Sequence, residues 1–295
     1  MSPYLQSLRL RTLPLSMSGI VLGTFLSLPY REGAGIGFWS IFILAICTTL
    51  SLQILSNLSN ELGDAQKGTD SDQTGRKAYG LQAGTLTFAQ IKKMIILFIF
   101  LSVLFGSALI WVAFGGEQII NHQSSIINIL IFLILGALAI IGAMTYTLGK
   151  HSYGYIGLGD LGVFLFFGLL STLGAFYLQT QTLTAEVCWC GVAIGLPCVG
   201  VLNLNNRRDM NNDRAHGKRT FASLLGQKGA KIYHTFLLLA CLTIFCFFAH
   251  WWVLCVTPVW AWHLWFIWTH QESALDKQMP VLMFSTLLVA GLGWL

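Results

Sequence analysis

Long apolar runs alternate with short polar segments along the whole chain. A helix needs ~17–25 apolar residues to cross about 30 Å of hydrocarbon, and nine runs approach or meet that length: 12–29, 38–58, 94–115, 126–148, 160–179, 187–204, 233–250, 252–268 and 279–295. The runs are continuous, without the alternation of a transmembrane β-barrel strand, and a backbone in lipid must satisfy its own hydrogen bonds. The pattern therefore predicts an all-α membrane protein with about nine transmembrane helices.

The composition supports this class of protein. Of 295 residues, 55% are hydrophobic and 10% are charged, with a mean hydropathy of +0.68, whereas soluble domains carry roughly 25% charged residues. The seven cysteines form no C-x-x-C pair and no Cys/His pattern at metal-ligand spacing, so we interpret them as small core or lipid-facing residues. His250, His263 and His270 likewise lack partners at ligand spacing, and no metal site is expected there.

The basic residues are distributed unevenly over this map. When the nine runs are threaded through a membrane, all but one of the 17 Lys and Arg residues fall on one side, and only Arg31 falls on the other. Because positive charge is retained on the cytoplasmic side, the N-terminus is predicted to be cytoplasmic and the C-terminus to lie outside. The net charge of +5 is thus mainly a topology signal, with a weaker attraction to anionic lipid or a phosphorylated substrate. It does not indicate nucleic acid.

The first of two carboxylate-rich stretches begins at the exit of the second apolar run. Amide side chains at such a position are costly unless they line a cavity or pair with each other. Asn60 and Asp64 stand at i and i+4, so a continuing helix would place them on one face. Gly68 then permits a turn that brings Asp70 back toward them. This stretch predicts at least three oxygen donors at the mouth of a helix bundle.

The second stretch follows the sixth run and repeats this arrangement. Asp209 and Asp213 are again i and i+4, and Asn205 or Asn206 precedes them at the interval found in the first stretch. The two stretches are four runs apart on the same side of the membrane, which predicts an internal repeat with both clusters in a shared cavity. The predicted organisation is one membrane domain over residues 1–295, with four-helix halves at about 12–150 and 160–268 and a last run at 279–295.

The chemistry of these side chains favours Mg²⁺. Carboxylates and amides without His or Cys are hard oxygen ligands, and Mg²⁺ usually completes its coordination sphere with water and substrate phosphates. Two such ions facing each other across a cavity could clamp one diphosphate, with nearby bases neutralising the remaining charge. Those bases are Lys67, Arg76, Lys77, Arg208 and Lys218. Neither stretch has the spacing of an EF-hand calcium loop, and duplication of the pattern argues against plain solvated surface charge.

Two further features leave alternatives open. The polar connection up to residue 93 fits a lid over the site or a simple connector, and its mixture of carboxylates and bases favours the lid. Tyr146, Lys150, Tyr153 and Asp160 cluster after the fourth run. They fit either an interfacial aromatic belt or a pocket for an aromatic, acidic substrate.

Several of these stretches match a known family. The chain resembles the UbiA superfamily of intramembrane prenyltransferases and, within it, the bacterial enzymes that prenylate 1,4-dihydroxy-2-naphthoate in menaquinone synthesis. The resemblance covers nearly the whole length and is carried by Leu8-Arg9-x-Arg11-Thr12-Leu13-Pro14-Leu15, Leu52-Gln53-Ile54-Leu55-Ser56-Asn57-Leu58, Gly63-Asp64-Ala65-x-Lys67-Gly68-x-Asp70, Tyr153-Gly-Tyr-Ile-Gly-Leu-Gly-Asp160 and Asn205-Asn206-x-Arg208-Asp209-x-Asn211-x-Asp213-Arg214-x-x-Gly217-Lys218. Glu61 and Leu10 depart from the usual Asp and Pro. The Glu61 departure is expected to leave metal binding intact.

The resemblance implies a fold in which nine helices surround a central cavity capped by two aspartate-rich loops. It implies that Mg²⁺ and the diphosphate are bound by Asn60, Asp64, Asp70, Asn206, Asp209 and Asp213. It further implies that the diphosphate is neutralised by Arg76, Arg208 and Lys218. For the aromatic acceptor, the clustered residues Tyr146, Lys150 and Tyr153 are our candidates. On this basis the catalytic residues are Asp64, Asp70, Asp209, Asp213 and Lys218.

The implied reaction is transfer of a polyprenyl group from an all-trans polyprenyl diphosphate to 1,4-dihydroxy-2-naphthoate, with loss of CO₂ and diphosphate, to give demethylmenaquinone. The expected location is the bacterial inner membrane, with membrane lipid as the surrounding partner and no obligate protein partner. One alternative is another aromatic acceptor, such as 4-hydroxybenzoate. A different class is a secondary transporter, which also builds central sites from interrupted helices. A transporter would carry its charged residues mid-span, whereas these lie at span ends.

Overall fold

The computed structural model describes residues 2–31, 34–69, 78, 80–115, 123–249 and 251–294. Within these ranges the chain is almost entirely helical, and the only extended pairing is an isolated parallel bridge between Ile156 and Arg219. The α-helices are α1 (Pro3–Ser7), α2 (Leu13–Leu26), α3 (Ile36–Lys67), α4 (Phe88–Phe114), α5 (Gln123–Thr145), α6 (Gly159–Val163), α7 (Ser171–Thr180), α8 (Ala185–Arg208), α9 (Met210–Ala215), α10 (Phe221–Phe248), α11 (Thr257–Thr269) and α12 (Gln278–Leu292). A π-helical segment, Phe164–Leu170, joins α6 to α7.

Seven helical stretches in the described ranges are long and apolar enough to cross a membrane: Pro3–Tyr30, Ile36–Lys67, Phe88–Phe114, Ser125–Thr145, Gly159–Thr180, Ala185–Arg208 and Phe221–Phe248. They correspond to the first seven predicted runs. The last two runs form the shorter helices α11 and α12, which are preceded by the 3₁₀ segments Trp251–Val256 and Glu272–Lys277. The predicted all-α membrane architecture with about nine helices is confirmed.

At the polar end of the bundle, two helices extend well beyond the apolar runs that predicted them. α3 continues to Lys67, well past the end of its apolar run, because a left-handed Gly68 (φ 72°) terminates it and the Thr69 N–H bonds back to the Asp64 carbonyl at 3.1 Å. α10 begins before its apolar run, where Thr220 and Ser223 form a capping box. Apolar content marks the lipid-facing part of a helix, whereas caps set where the helix ends.

α8 is the most enclosed of the long helices, with 72% of its apolar window buried. A Cβ added to Gly168 would lie 2.6 Å from the Cα of Gly195 on α8, so the π-helical segment and α8 touch along their backbones. Close approach through small residues is the usual way in which helices pack inside a membrane. This packing fixes α8, whose C-terminal end carries the second carboxylate-rich stretch.

A buried hydrogen-bond chain ties α8 to α10, α11 and α12. Nδ1 of His263 lies 2.7 Å from Gln278 Oε1, and its Nε2 lies 3.0 Å from Nε2 of His234. Nδ1 of His234 lies 3.4 Å from the Asn203 amide nitrogen. Every donor then has one acceptor when His263 carries its proton on Nδ1 and His234 carries its proton on Nε2. Local spacing did not reveal a partner for His263 because that partner comes from another helix.

Candidate active site

Both carboxylate-rich stretches meet at one polar recess. α3 remains helical through Asn60 and Asp64, so these side chains share a face, as their spacing predicted. α8 gives way to α9 at Asp209, yet the Asp213 N–H donates to the Asp209 carbonyl at 2.8 Å and preserves the one-turn spacing. The recess has a volume of about 40 Å³ and is lined by Arg9, Asn60, Asp64, Thr69, Tyr146, Asn205, Asp209, Asp213 and Lys218.

Asp64 is oriented by a neutral hydroxyl group. The Tyr155 hydroxyl donates to Asp64 Oδ1 at 2.8 Å and accepts from the Thr69 hydroxyl at 2.6 Å. The Lys67 ammonium lies 3.7 Å from the centre of the Tyr155 ring and donates to the Thr147 carbonyl at 2.7 Å. Burial, and then the charge of Asp64, raise the pKa of Tyr155. The phenol therefore stays protonated and remains a donor to Asp64.

Asn60 is held by Thr147, which follows α5. The Thr147 hydroxyl lies 3.0 Å from the Ser59 carbonyl and 3.2 Å from Asn60 Oδ1. Gly63 makes this approach possible, because a Cβ at that position would lie 2.6 Å from the Thr147 Oγ1. The amide of Asn60 is thus positioned by a side chain from another helix end.

Asp209 is held differently, by the guanidinium of the residue before it. Arg208 Nε and Nη2 lie 2.7 and 2.6 Å from the two Asp209 oxygens, in a bidentate pair. Nη2 also donates to Asn205 Oδ1 at 2.7 Å, and Nη1 donates to Asp276 Oδ1 at 2.7 Å and faces Met279 Sδ at 3.8 Å. These five contacts match the five N–H groups of a guanidinium. Arg208 is therefore saturated by protein acceptors, and its side chain is only 6% exposed.

Asp276 lies behind Arg208, in the 3₁₀ segment before α12. Its carboxylate also receives Arg11 in a bidentate pair at 2.9 and 3.2 Å. Burial acts to raise the pKa of Asp276, but the hydrogen bond from Arg11 and the charge of Arg208 hold that pKa below its ordinary value. Asp276 is therefore an anion that links the N-terminal segment, the end of α8 and the start of α12.

Asp213 and Lys218 form a buried pair at the floor of the recess. The Lys218 ammonium lies 3.4 Å from Asp213 Oδ1, and the Lys218 N–H donates to the Asp213 carbonyl at 2.8 Å. Burial raises the pKa of Asp213 to about 6, against the opposing charge of Lys218. Burial acts to lower the pKa of Lys218, but the carboxylates of Asp64 and Asp213 outweigh it and raise that pKa. Lys218 is therefore a cation held among carboxylates.

The donor set of the recess suits a hard cation. It offers carboxylate oxygens from Asp64, Asp209 and Asp213 and amide oxygens from Asn60 and Asn205. Oδ2 of Asp213 is buried and accepts no hydrogen bond from any described residue. Within the described ranges, no three acidic, His or Cys side chains form a closed metal cage. A cation here would be held by few protein ligands and completed by substrate oxygens, which is the usual arrangement for Mg²⁺.

A larger, mainly apolar cavity of about 510 Å³ borders the recess. Four residues line both spaces, namely Arg9, Asn60, Tyr146 and Asn205. The apolar part of the wall includes Leu15, Ile20, Leu133, Phe166, Phe167 and Leu170. One molecule with a charged head and a long apolar tail would match this pair of spaces.

Comparison with known proteins agrees with this architecture. The family model for the UbiA prenyltransferase family matches residues 20–288. The chain belongs to the UbiA prenyltransferase family. A UbiA homolog from Aeropyrum pernix K1 has the same fold, with a TM-score of 0.60 at 18% identity, covering 95% of this chain and 96% of that one. The protein is thus a multi-pass membrane prenyltransferase.

Similar sequences within the UbiA family carry a common name. The 1,4-dihydroxy-2-naphthoate octaprenyltransferase of Escherichia coli K12 is 40% identical over 268 residues, covering 88% of this chain and 79% of that protein. The protein of the same name from Haemophilus influenzae Rd is 36% identical over 241 residues, covering 79% of this chain and 72% of that protein. These relatives place the chain beside the naphthoate-prenylating members of the UbiA family.

The structure brings most, but not all, of the sequence-predicted residues to the UbiA site. Asn60, Asp64, Asp209, Asp213 and Lys218 line the recess together. Tyr146 lies in the walls of both spaces, and Tyr153 lines the larger one. Asp70 and Arg76 lie outside the described residues.

Three predicted residues have other surroundings. Lys150 is exposed and is not among the residues that line either space. Asn205 rather than Asn206 lies in the recess wall, since consecutive residues point about 100° apart around a helix. The Arg208 donors are all directed at protein acceptors, so this guanidinium orients Asn205 and Asp209.

Glu61, which replaces the usual Asp, does not line the recess. It accepts hydrogen bonds from the Leu81 N–H at 2.7 Å and the Ser7 hydroxyl at 3.3 Å, and it is 1% exposed. It therefore ties α3 to α1 and to the segment before α4. That the Glu61 departure leaves metal binding intact stays a prediction.

Four residues near the UbiA site were not predicted as functional. They are Arg9, Thr147, Tyr155 and Asp276. Arg9 has a left-handed backbone (φ 50°), an uncommon state for a residue with a Cβ. Arg9 and Tyr155 lie within the stretches that carry the family resemblance, but the sequence pattern assigns neither of them a role at the site. Asp276 gave no signal at all, because it lies far from both carboxylate-rich stretches in sequence.

Proposed function

We propose that this UbiA prenyltransferase transfers a polyprenyl group from an all-trans polyprenyl diphosphate to 1,4-dihydroxy-2-naphthoate, with release of diphosphate and CO₂, giving demethylmenaquinone in its quinol form. The observation that carries the proposal is the junction of a carboxylate-lined recess with an apolar cavity of about 510 Å³. The acceptor is inferred from the relatives that are 40% and 36% identical to this chain.

Mg²⁺ fits the recess. Its donors are carboxylate and amide oxygens, and Asp213 contributes a buried oxygen that accepts no hydrogen bond from the described residues. We expect Asp64, Asp209 and Asp213 to hold the ion, assisted by Asn60 and Asn205. Bound there, Mg²⁺ would stabilise the negative charge that develops on the departing diphosphate.

Cationic side chains of the chain itself complete the binding of the diphosphate. Lys218 is buried among the carboxylates of the recess, and Arg9 lies where the recess and the apolar cavity meet. When the allylic C–O bond breaks, negative charge grows on the diphosphate, and donors already in place stabilise it without further reorganisation. Lys218 and Arg9 would therefore stabilise the transition state of ionisation more than they stabilise the bound substrate.

The apolar cavity protects the other product of ionisation. An allylic cation reacts quickly with water, so its lifetime depends on a site from which water is excluded. Leu15, Phe166 and Phe167 line the cavity that borders the recess. The isoprenoid chain would lie against such side chains, with its first unit beside the recess. The electron-rich ring of the acceptor then attacks the allylic carbon, and its carboxylate leaves as CO₂.

Tyr146 and Tyr153 are placed to orient the aromatic acceptor. Their rings meet edge to face at 5.2 Å, and the Tyr153 hydroxyl donates to the Gly142 carbonyl at 3.0 Å, which fixes its ring. Burial raises the pKa of Tyr153 to about 12 and that of Tyr146 well above its ordinary value. Both phenols are therefore neutral and offer ring faces and hydroxyl groups, not a base.

We further infer that the recess faces the cytoplasm in a bacterial inner membrane. The unequal distribution of basic residues supports this orientation, because Arg31 at the opposite end, where it donates to the Gln179 carbonyl at 3.2 Å, is the one exception. A Lys150→Cys variant tests it with a membrane-impermeant maleimide. Labelling above that of the unsubstituted protein, in which Cys246 and Cys255 are exposed, is expected in inside-out vesicles and not in right-side-out vesicles.

The proposed reaction is tested with purified protein in detergent or nanodiscs. The protein is supplied with Mg²⁺, polyprenyl diphosphates of several lengths, and either 1,4-dihydroxy-2-naphthoate or 4-hydroxybenzoate. Product masses are expected to correspond to prenylated, decarboxylated naphthoquinol, with transfer lost when Mg²⁺ is chelated. Preferential prenylation of 4-hydroxybenzoate would reject the proposed acceptor and retain the class of reaction.

A further inference from the structure

The 3₁₀ segment Glu272–Lys277 reaches the second carboxylate-rich stretch from the far end of the chain. Its Asp276 contacts Arg208 at 2.7 Å and Arg11 at 2.9 Å. Neither arginine is a neighbour of Asp276 in sequence. Three separate parts of the chain are therefore joined by one carboxylate beside the recess.

Arg208 transmits this contact to the recess. All of its N–H groups are engaged, two of them with the Asp209 carboxylate and one with Asn205 Oδ1. Asn205 and Asp209 both line the recess. An arginine so saturated holds its neighbours in one orientation, because any rotation of the guanidinium breaks several charge-assisted hydrogen bonds.

The order of charges along this network also affects Asp209. Arg208 by itself would largely neutralise Asp209 and weaken its attraction for a cation. Asp276 offsets Arg208, and Arg11 in turn offsets Asp276. The alternation of signs leaves Asp209 an oriented carboxylate whose charge is only partly compensated.

We propose that Asp276 is a positioning residue that acts through Arg208 to hold Asn205 and Asp209 in the geometry that binds a divalent cation and diphosphate. This inference rests on the proposed function of the recess. It assigns Asp276 no contact with the substrate. Outer groups of this kind typically change metal affinity 10–100-fold when they are removed.

The same 3₁₀ segment provides a matched control. Glu272 pairs with Arg207, the residue next to Arg208, at 3.8 Å. Arg207 is fully buried and faces Gln227 of α10 at 3.4 Å, and it does not line the recess. Glu272→Gln therefore removes one negative charge from the same segment while leaving the Arg208 network intact.

The test measures binding of Mn²⁺, as a paramagnetic substitute for Mg²⁺, to the full-length protein in detergent with inorganic diphosphate, by electron paramagnetic resonance. Asp276→Asn is expected to weaken Mn²⁺ binding about tenfold, at the lower end of the range for outer groups. Glu272→Gln is expected to change binding less than about twofold, because Glu272 contacts Arg207 and none of the residues that line the recess. The KM for the aromatic acceptor should remain unchanged in both variants.

Arg208→Lys is the second variant, since lysine keeps the charge but lacks the planar fork of five donors with which Arg208 contacts Asn205, Asp209 and Asp276. It should weaken Mn²⁺ binding at least as much as Asp276→Asn, and the double variant should be no weaker than Arg208→Lys alone, because both changes act through one group. Equal weakening by Glu272→Gln and Asp276→Asn, or additive effects in the double variant, would overturn the inference. So would an unsubstituted protein that binds no Mn²⁺.

These outcomes are separate from the fate of the proposed reaction. Mn²⁺ and diphosphate binding without prenylation of any aromatic acid would reject the proposed function and leave the role of Asp276 standing. Prenyl transfer by the unsubstituted protein, together with unchanged Mn²⁺ affinity in Asp276→Asn, would support the proposed function and reject the role of Asp276. If Asp276→Asn does not fold, the comparison of Arg208→Lys with Glu272→Gln decides, since unchanged Mn²⁺ affinity in Arg208→Lys removes the link on which the inference depends.

Discussion

Asp64 and Asp209 occupy equivalent positions in the two carboxylate-rich stretches, yet the protein holds them in opposite ways. Asp64 accepts a hydrogen bond from the neutral Tyr155 hydroxyl at 2.8 Å. Asp209 is paired with the Arg208 guanidinium at 2.6 Å. A neutral donor orients a carboxylate and leaves its charge in place, whereas a guanidinium also compensates that charge. Equal spacing in sequence has therefore produced unequal electrostatics.

The difference gives the two sides of the recess unequal roles, where the first side is that of Asp64 on α3 and the second side is that of Asp209 at the end of α8. On the first side, the carboxylate of Asp64 raises the pKa of the nearby Lys218, together with Asp213. On the second side, Asp209 belongs to a chain of alternating charges that ends at Arg11. In the proposed function, the first side contributes the stronger attraction for a cation and the second the more rigid orientation.

The largest effect is expected from removing either carboxylate. Asp64→Ala and Asp209→Ala should both abolish prenyl transfer, because each deletes a proposed cation ligand. The two variants should differ in their free energy of unfolding. Asp209→Ala leaves the buried Arg208 without its main partner and should lower the free energy of unfolding by about 1–3 kcal/mol. Asp64→Ala should cost less, because the Tyr155 hydroxyl still contacts Thr69 and Lys218 keeps its ion pair with Asp213. Product mass and thermal unfolding in detergent measure the two effects.

Normal insertion into the membrane is the control for both variants. Near-normal turnover in either one would refute the proposed ligand role of that carboxylate. Equal loss of stability in the two would contradict the comparison itself, since it would mean that Arg208 and Tyr155 depend equally on their carboxylate partners.

Lys218→Met should have the next largest effect. The buried ammonium lies 3.4 Å from Asp213 and serves both sides of the recess. Loss of a positioned group that stabilises developing negative charge typically lowers kcat by about 10²–10³, and we expect that range here. The exposed Lys228 provides a control with the same change of charge. A comparable loss in Lys228→Met would attribute the effect to overall charge.

Adjacent asparagines on α8 distinguish the structure from the sequence pattern. Asn205 lines the recess and bonds to Arg208 at 2.7 Å, whereas Asn206 is buried away from it. Asn205→Ala should raise the Mg²⁺ concentration that is needed for half-maximal turnover about 10–100-fold. Asn206→Ala should leave that Mg²⁺ concentration near its normal value. The reverse result, read from Mg²⁺ titrations of turnover, would restore Asn206 as the ligand that the sequence predicted.

The sequence predicted what depends on spacing along one helix. Nine apolar runs predicted the helices, and the i, i+4 spacing of Asn60 with Asp64 predicted their shared face, because both follow from helix periodicity. The sequence pattern was ambiguous where two adjacent residues could both be the ligand. Asn205 and Asn206 could not be separated without knowing the rotation of α8.

Partners supplied by other parts of the chain were not predictable in this way. Tyr155, Thr147 and Asp276 reach Asp64, Asn60 and Arg208 only through the packing of several helices. Hydropathy and local motifs contain no information on such contacts. Arg208 was assigned to the substrate for the same reason, since a base beside a carboxylate in sequence carries no sign of which acceptors will saturate it.

Tyr155→Phe removes the neutral donor and tests the first side in isolation. A hydrogen bond to a charged group is worth about 1.5 kcal/mol, so the apparent Mg²⁺ affinity is expected to fall about tenfold. The ring that lies 3.7 Å from Lys67 is retained in this variant. Tyr153→Phe is the control, because that hydroxyl bonds to the Gly142 carbonyl. An unchanged Mg²⁺ titration in Tyr155→Phe would show that Asp64 is oriented without it.

The smallest effect is expected at Lys150. The cluster of residues after the fourth apolar run makes Lys150 a candidate for contact with the aromatic acceptor, but its side chain is exposed and is absent from the residues that line the recess and the cavity. Lys150→Gln should therefore change kcat/KM for 1,4-dihydroxy-2-naphthoate by less than about twofold, since isolated exposed charges contribute little. Steady-state kinetics with the acceptor varied measure this directly. A tenfold rise in KM for the acceptor alone, with Mg²⁺ dependence unaltered, would mean that the segment after α5 closes onto the bound acid and that Lys150 pairs with its carboxylate.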